Sequence, residues 1–306
     1  MQENQIIKST KDKKTKNSIL SPKLDVVFQI LFGEVGSEEI TKDLLNAILD
    51  EQINTVDLNQ NIVLRRRNIK DKMGIVDVLA KINDNEYCNI EMQILDNRDN
   101  IKRILYYWAR KYSSELQKGN PYTNLKRTIC VLIADFTIDI LEDLEFHTQW
   151  KIIEEKGRKT VLTDDLELHI IELPKMRKNK ATGKDKKLLE WLSFLNNPES
   201  KEVINYMKNN ESMKKAKEKL NTMSEDEKIR RLAELREKTI LDELEVKAYN
   251  YKKEKNDGIE QGRTEGREEG KLLKNKEIAK KMKEKGYLVE DIIEITNLPK
   301  EEIEKL

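Results

Sequence analysis

Asp77 and Glu91 lie in two apolar runs, Ile75 to Ile82 and Tyr87 to Ile94, separated by Asn83-Asp84-Asn85. Asn and Asp favour turns, so the two runs read as the strands of a β-hairpin. Strand side chains alternate between faces. With the turn centred on Asp84, Asp77 falls opposite Glu91 on one face, and Gln93 lies beside them opposite Ile75. Carboxylates so paired have Cβ atoms about 5 Å apart. At an effective dielectric of about 20 they repel by about 3 kcal/mol. Ordinary sheets avoid like charges directly opposite one another. A hard divalent cation removes the penalty: Mg²⁺ takes one or two carboxylates and keeps waters and phosphate oxygens. Such a site activates water against a phosphodiester. The alternative is an exposed hairpin with both acids in water, and the spacing by itself leaves both readings open.

The elements around the hairpin follow from periodicity. Ser21-Pro22 reads as a helix start, with Leu24, Val27, Phe28, Leu31 and Phe32 at helical spacing and Gly33 as C-cap. A second helix runs from Ser37 to about Glu51. Ile62-Val63-Leu64 reads as a strand, followed by Arg65, Arg66, Arg67 and Lys70, either a solvated strand end or a phosphate-contacting patch. A third helix spans Asn97 to Lys118, with Ile101, Ile104, Leu105, Trp108 and Tyr112 as its apolar stripe. On it, Arg103 and Arg110 either approach phosphate or form a solvated face. Tyr106, Tyr107 and Tyr112 read as packing residues. Thr128 to Ala134 is apolar on both faces, as in a buried strand. Polar hairpin segments follow at Phe146 to Ile153 and Leu166 to Leu173.

Four motifs in this order carry a resemblance: Leu24 to Gly33, Val76 to Ala80, Asn89 to Gln93, and Leu105 to Tyr112. Together they resemble the recombination-promoting nuclease/putative transposase family, a branch of the PD-(D/E)XK nucleases. The resemblance spans Ser21 to Leu173, and the C-terminal glycines and tail are similar as well. It implies an α/β, restriction-endonuclease-like mixed sheet flanked by helices, with an α-helical C-terminal extension. It also implies a Mg²⁺-dependent endonuclease of double-stranded DNA, with Mn²⁺ as the alternative ion, in recombination or transposition. Asp77 then matches the metal-binding aspartate and Glu91 the acidic residue of the (D/E)-x-K element. Gln93 stands where most of the superfamily has lysine. Asp25 matches an acid of the first core helix, although a first-turn aspartate also suits the helix dipole. Lys81 is four strand residues from Asp77, about 13 Å away, too far to replace the missing lysine.

Composition bounds the rest. The 306 residues are enough for about two domains. Lys and Arg number 58 against 57 Asp and Glu, so any DNA contact uses local patches rather than a basic coat. Two cysteines and two histidines exclude a disulfide scaffold and a His- or Cys-rich metal site. No run suits a membrane span or a signal peptide, so a cytoplasmic protein is expected. The organisation expected is a disordered basic tail (1–20), a nuclease-like domain (21–174), a charged helical region (175–255), and a glycine-repeat segment with a small helical tail (256–306). Trp191, Leu192, Phe194 and Leu195 are the core candidates of the third part. Gly258, Gly262, Gly266 and Gly270 recur every four residues, which reads either as a linker or as a helix forming a homodimer through its glycine face. Ile292, Ile293, Ile295 and Leu298 would pack the tail, a helix-turn-helix turning at Asn297-Leu298-Pro299. With Glu301, Glu302 and Glu304 in its second helix, it suits packing better than DNA reading. Two rivals stay open: a DDE-type transposase with Asp77, Asp135 and Glu172 as triad, and a non-catalytic DNA- or protein-binding remnant.

Overall fold

The computed structural model describes residues 18–59, 77–83, 85–97, 99–178 and 185–306. The expected strand at 62–64 and the basic cluster Arg65, Arg66, Arg67 and Lys70 lie outside the described residues, as does most of the expected tail. Packing begins inside that tail. Leu20 is buried, and its N–H donates to Ser224 Oγ at 3.0 Å.

By contacts the chain divides into two compact units, Met1–Ile240 and Leu241–Leu306. Trp191, Leu192, Phe194 and Leu195 are fully buried as expected, but within the first unit. The Trp191 indole N–H donates to Asp43 at 2.9 Å, and its ring meets Phe32 edge-on at 5.9 Å.

In the first unit, α1 (Asp25–Gly33) and α2 (Glu38–Leu49) precede the sheet. α1 starts at Asp25 rather than Pro22, behind an extended Leu24. The turn between them places Gly36, not Gly33, at positive φ, +95°, a conformation open to glycine without a Cβ penalty. Then come β1 (Val56–Asp57), β2 (Val78–Ile82), β3 (Glu86–Gln93), α3 (Asn100–Ser114), β4 (Thr128–Ala134), β5 (His147–Ile153) and β6 (Val161–Glu172). The six strands form one mixed sheet in the order β1-β2-β3-β4-β6-β5. β4 is central, parallel to β3 and β6, and every residue of it is buried, as a strand covered on both faces requires. α4 (Lys186–Asn196), α5 (Lys201–Tyr206), α6 (Glu211–Glu225) and the beginning of α7 (Glu227–Glu284) complete this unit.

The hairpin register matches the turn chemistry. Val78 pairs with Ile90 and Ile82 with Glu86, the register expected; Asp84 itself lies outside the described residues. Ile104 of α3 packs with Cys130, Leu132, Leu168 and Ile170 on one face of the sheet. The α3 stripe is rotated from expectation: Ile104 and Tyr107 are buried, while Leu105 and Tyr106 are exposed.

The second unit holds the rest of α7 with α8 (Val289–Thr296) and α9 (Lys300–Lys305). Ala279, Ile292, Leu298 and Ile303 form its core. Ile295, expected inward, is exposed. The four repeat glycines are helical. A Cβ added at any of them would meet nothing within 4 Å.

Candidate active site

The face of β3 that carries Glu91 is set by register. Glu91 pairs with Leu132, and Leu132 with Ile170, both members of the cluster beneath α3. α3 thus covers the polar side of the hairpin and removes its acids from water. Glu91 is 2 % exposed and Asp77 8 %, which rules out the solvated-hairpin reading.

Asp77 sits one residue before the β2 ladder, which stops at Val78. Freed from the ladder, its carboxylate turns to its neighbours. Oδ2 accepts from the Met92 backbone N–H at 2.8 Å, and Oδ1 accepts from Gln29 Nε2 on α1 at 3.2 Å. Glu91 has a different surrounding. Arg103 Nε on α3 lies 3.6 Å from Oε2, while Oε1 is buried with no hydrogen-bond partner. The Arg103 guanidinium also lies over the Tyr107 ring, 5.5 Å from its centroid.

Electrostatics follow from this dryness. Burial pushes Asp77 up to about 7; the bonds from Met92 and Gln29 oppose the rise, the charge of Asp25 adds to it, and Arg103 lowers it. Burial likewise pushes Glu91 up to about 8, reinforced by the charge of Asp77 and opposed by Arg103 and a hydrogen bond with Asn89. The two carboxyls therefore repel and are short of counter-charge, which is the condition a hard cation relieves. Among the described residues, no three His, Cys, Asp or Glu side chains converge to cage an ion. The donor set is two hard carboxylates, one oxygen of which is unpartnered, and it fits an ion whose remaining ligands are water and phosphate oxygens.

The other candidates are placed as follows. Gln93 is half-buried at the end of β3, and its carbonyl accepts from Asp135 N–H at 2.8 Å. Asp25 is the first residue of α1; Oδ1 accepts from Val26 N–H at 2.8 Å, and Oδ2 lies 2.8 Å from Arg236 Nε on α7. Arg103, expected on a DNA-facing or solvated helix face, is beside Glu91. Arg110 is exposed. Tyr107 packs, Tyr112 stacks on Trp108 at 5.0 Å, and Tyr106 is exposed, against its expected packing role. The DDE triad does not assemble. Asp135 is paired with Lys23 at 2.6 Å and Glu172 with Lys175 at 2.6 Å. Among the described residues no three such acids converge.

Three residues of the site escaped the sequence reading. Gln29 could have been found, because it is one helical turn after Asp25 on the same face. Asn89 shares the parity of Glu91. Arg236 carries no local signal.

The family model for PD-(D/E)XK nuclease family transposases matches residues 22–250. No curated protein matches the chain, and no solved structure does. Among the described residues, no helix is long and apolar enough to cross a membrane.

Proposed function

The chain belongs to the PD-(D/E)XK nuclease family of transposases, and on that premise we propose that it is a Mg²⁺-dependent endonuclease of double-stranded DNA acting in recombination or transposition. The observation that carries this reading is the buried pair Asp77 and Glu91, raised to about 7 and about 8, with one Glu91 oxygen unpartnered. An ordinary core does not keep such a pair, because buried acids that repel and leave an oxygen unpartnered cost stability.

In this reading Asp77 and Glu91 hold the ion, with Mn²⁺ able to replace Mg²⁺. When bound, it neutralises charge on the phosphate and acidifies water for attack. The chain supplies the rest. The Gln93 amide positions the attacking water by a hydrogen bond but, being neutral, adds no charge to the phosphorane. Arg103, which already acts on both acids, supplies that charge from α3. Met92 and Gln29 fix the Asp77 carboxylate, and the cover of α3 excludes bulk water, which strengthens every charge interaction within. Arg110 lies farther along α3 and meets the DNA backbone, as Arg65, Arg66 and Arg67 would in the sequence reading. Asp25 is a further acid of the centre.

The test is supercoiled plasmid with Mg²⁺, comparing wild type with Glu91→Gln. Nicked or linear product from wild type, falling by at least about 10²-fold in the variant, is expected. Equal cleavage by both proteins would discard the assignment. Intact plasmid with both, alongside retained duplex binding, would leave a DNA-binding remnant instead.

A further inference from the structure

Asp25 and Gln29 are one turn apart on α1 and therefore neighbours on its surface. Their side chains part company. Gln29 reaches Asp77 at 3.2 Å. Asp25 spends both oxygens elsewhere, Oδ1 on the Val26 N–H and Oδ2 against Arg236. Asp25 is still close enough for its charge to act on Asp77. Three acids share one neighbourhood, yet no three converge among the described residues. The Asp25 oxygens are committed to Val26 and Arg236 instead.

Arg236 belongs to the early turns of α7, and that part of the helix is fastened in place. Arg230 donates through Nε to the Ser224 carbonyl at 3.0 Å and through its guanidinium to the Ser18 carbonyl at 3.2 Å. Leu20 is tied to Ser224. The anchors bring α7 and the start of α1 together, so the Arg236–Asp25 contact is built into the fold of the first unit. The contact itself is close, 2.8 Å, but part-exposed and poorly aligned. The two side chains are 40 % and 32 % exposed, and Arg236 Nε meets no acceptor at hydrogen-bonding angles. Exposed ion pairs of this kind contribute little. A phosphate accepts two guanidinium N–H groups side by side and holds arginine better.

Resting on the endonuclease reading, we propose that Arg236 is a DNA-operated latch on Asp25. A backbone phosphate of bound duplex takes the guanidinium, and Asp25 is released to join Asp77 and Glu91 as a third carboxylate toward the divalent ion. The metal site is then completed only when DNA is present. Arg236 is a positioning residue, acting through Asp25. DNA and metal bind cooperatively through it, and the coupling is reciprocal. The charge balance favours this order: a third carboxylate beside two that already repel is retained only once a dication has arrived.

The experiment counts free Mn²⁺ by electron paramagnetic resonance in the absence of DNA, using the full chain. Arg236→Gln removes the latch and should bind Mn²⁺ about five- to tenfold more tightly than wild type, within the usual span of coupling between sites. Asp25→Asn combined with Arg236→Gln should return to the wild-type affinity. Arg236→Lys keeps the charge and controls for folding; it should bind as wild type does. A metal-free arm measures duplex affinity against salt in EDTA, where Arg236→Gln should lower the slope by about 0.9. Equal Mn²⁺ affinity in wild type and Arg236→Gln, or a gain that survives Asp25→Asn, overturns the latch alone. Mn²⁺ binding that is absent from wild type, or indifferent to Asp77→Asn, overturns the endonuclease reading and the latch with it.

Discussion

Glu91 and Glu167 are buried in the same sheet, on opposite faces, and to nearly the same degree, 2 % and 0 % exposed. Their fates differ completely. Glu167 Oε2 is bound by Arg127 at 2.6 Å, and Oε1 is shared by His169 at 2.9 Å and by Gln149. Arg127 continues to Glu51 and Glu86, and His169 to His147 at 2.8 Å. Burial alone would raise Glu167, but the bonds from His169, Arg127 and Gln149 and the Arg127 charge hold it well below the carboxylate range. Glu91 has one arginine at 3.6 Å, a hydrogen bond with Asn89 and one idle oxygen, and it is raised to about 8. Burial does not decide the state of a buried acid. The supply of partners does, and here one glutamate is satisfied by the fold while the other keeps one oxygen unpartnered.

The largest effect that sharpens this contrast is on stability. Glu167→Ala leaves Arg127 and His169 without their central acceptor, and breaking a buried pair from one side typically costs about 3–5 kcal/mol. A clear fall in urea midpoint is expected. Glu91→Gln, measured in EDTA at pH 8, should leave the midpoint unchanged or raise it, because it replaces a poorly partnered acid by a neutral isostere. Equal destabilisation by both substitutions would erase the distinction.

Next in size is the pH response, where the two acids act with opposite sign. Asp77 and Glu91 hold protons more tightly when folded. Their contribution is fully present below about pH 4 and is lost as pH rises toward about 7 and about 8, by on the order of 1.4 kcal/mol per pH unit for each proton. Glu167 has a depressed folded value, so its contribution is present above about 4.5 and is lost as pH falls below that. Thermal melting in EDTA should therefore drop for wild type between pH 5 and 8.5. The drop should be shallower in Asp77→Asn and Glu91→Gln. Mg²⁺ should restore wild type at pH 8, and neither variant. A flat wild-type profile would show that the pair is not held as described.

The hairpin was legible in the sequence because turn chemistry and strand parity are local. Asn83 to Asn85 fixed the centre, and parity put Asn89, Glu91 and Gln93 on one face. What parity cannot report is what lies on that face. Alternating strands suggest a wet side, but α3 lies over it, and its apolar stripe is rotated by one residue because Tyr107 packs inward in place of Leu105. Trp191 and Phe194 were readable as core from their spacing. That they join the first unit depends on Trp191 reaching Asp43, a pairing of distant segments with no periodic trace. Arg236 reaches Asp25 for the same reason, through the return of α7, so the ion pair at one edge of the site was invisible to any local pattern.

The smallest effects separate the two arginines of α3. Arg103 lies 3.6 Å from Glu91 and lowers both acids, whereas Arg110 is exposed. Arg103→Gln should slow cleavage by about 10-fold or more at saturating DNA, with Arg103→Lys recovering part of the rate, because a charge aimed at the phosphate acts on the chemical step. Arg110→Ala should leave that rate unchanged. It should instead weaken duplex binding to all sequences alike and lower the salt slope by about 0.9, the signature of one lost backbone phosphate contact. If Arg110→Ala reduced the rate at saturation as much as Arg103→Gln, the charge facing the acids would not be the one that matters, and the special position of Glu91 beneath α3 would lose its chemical meaning.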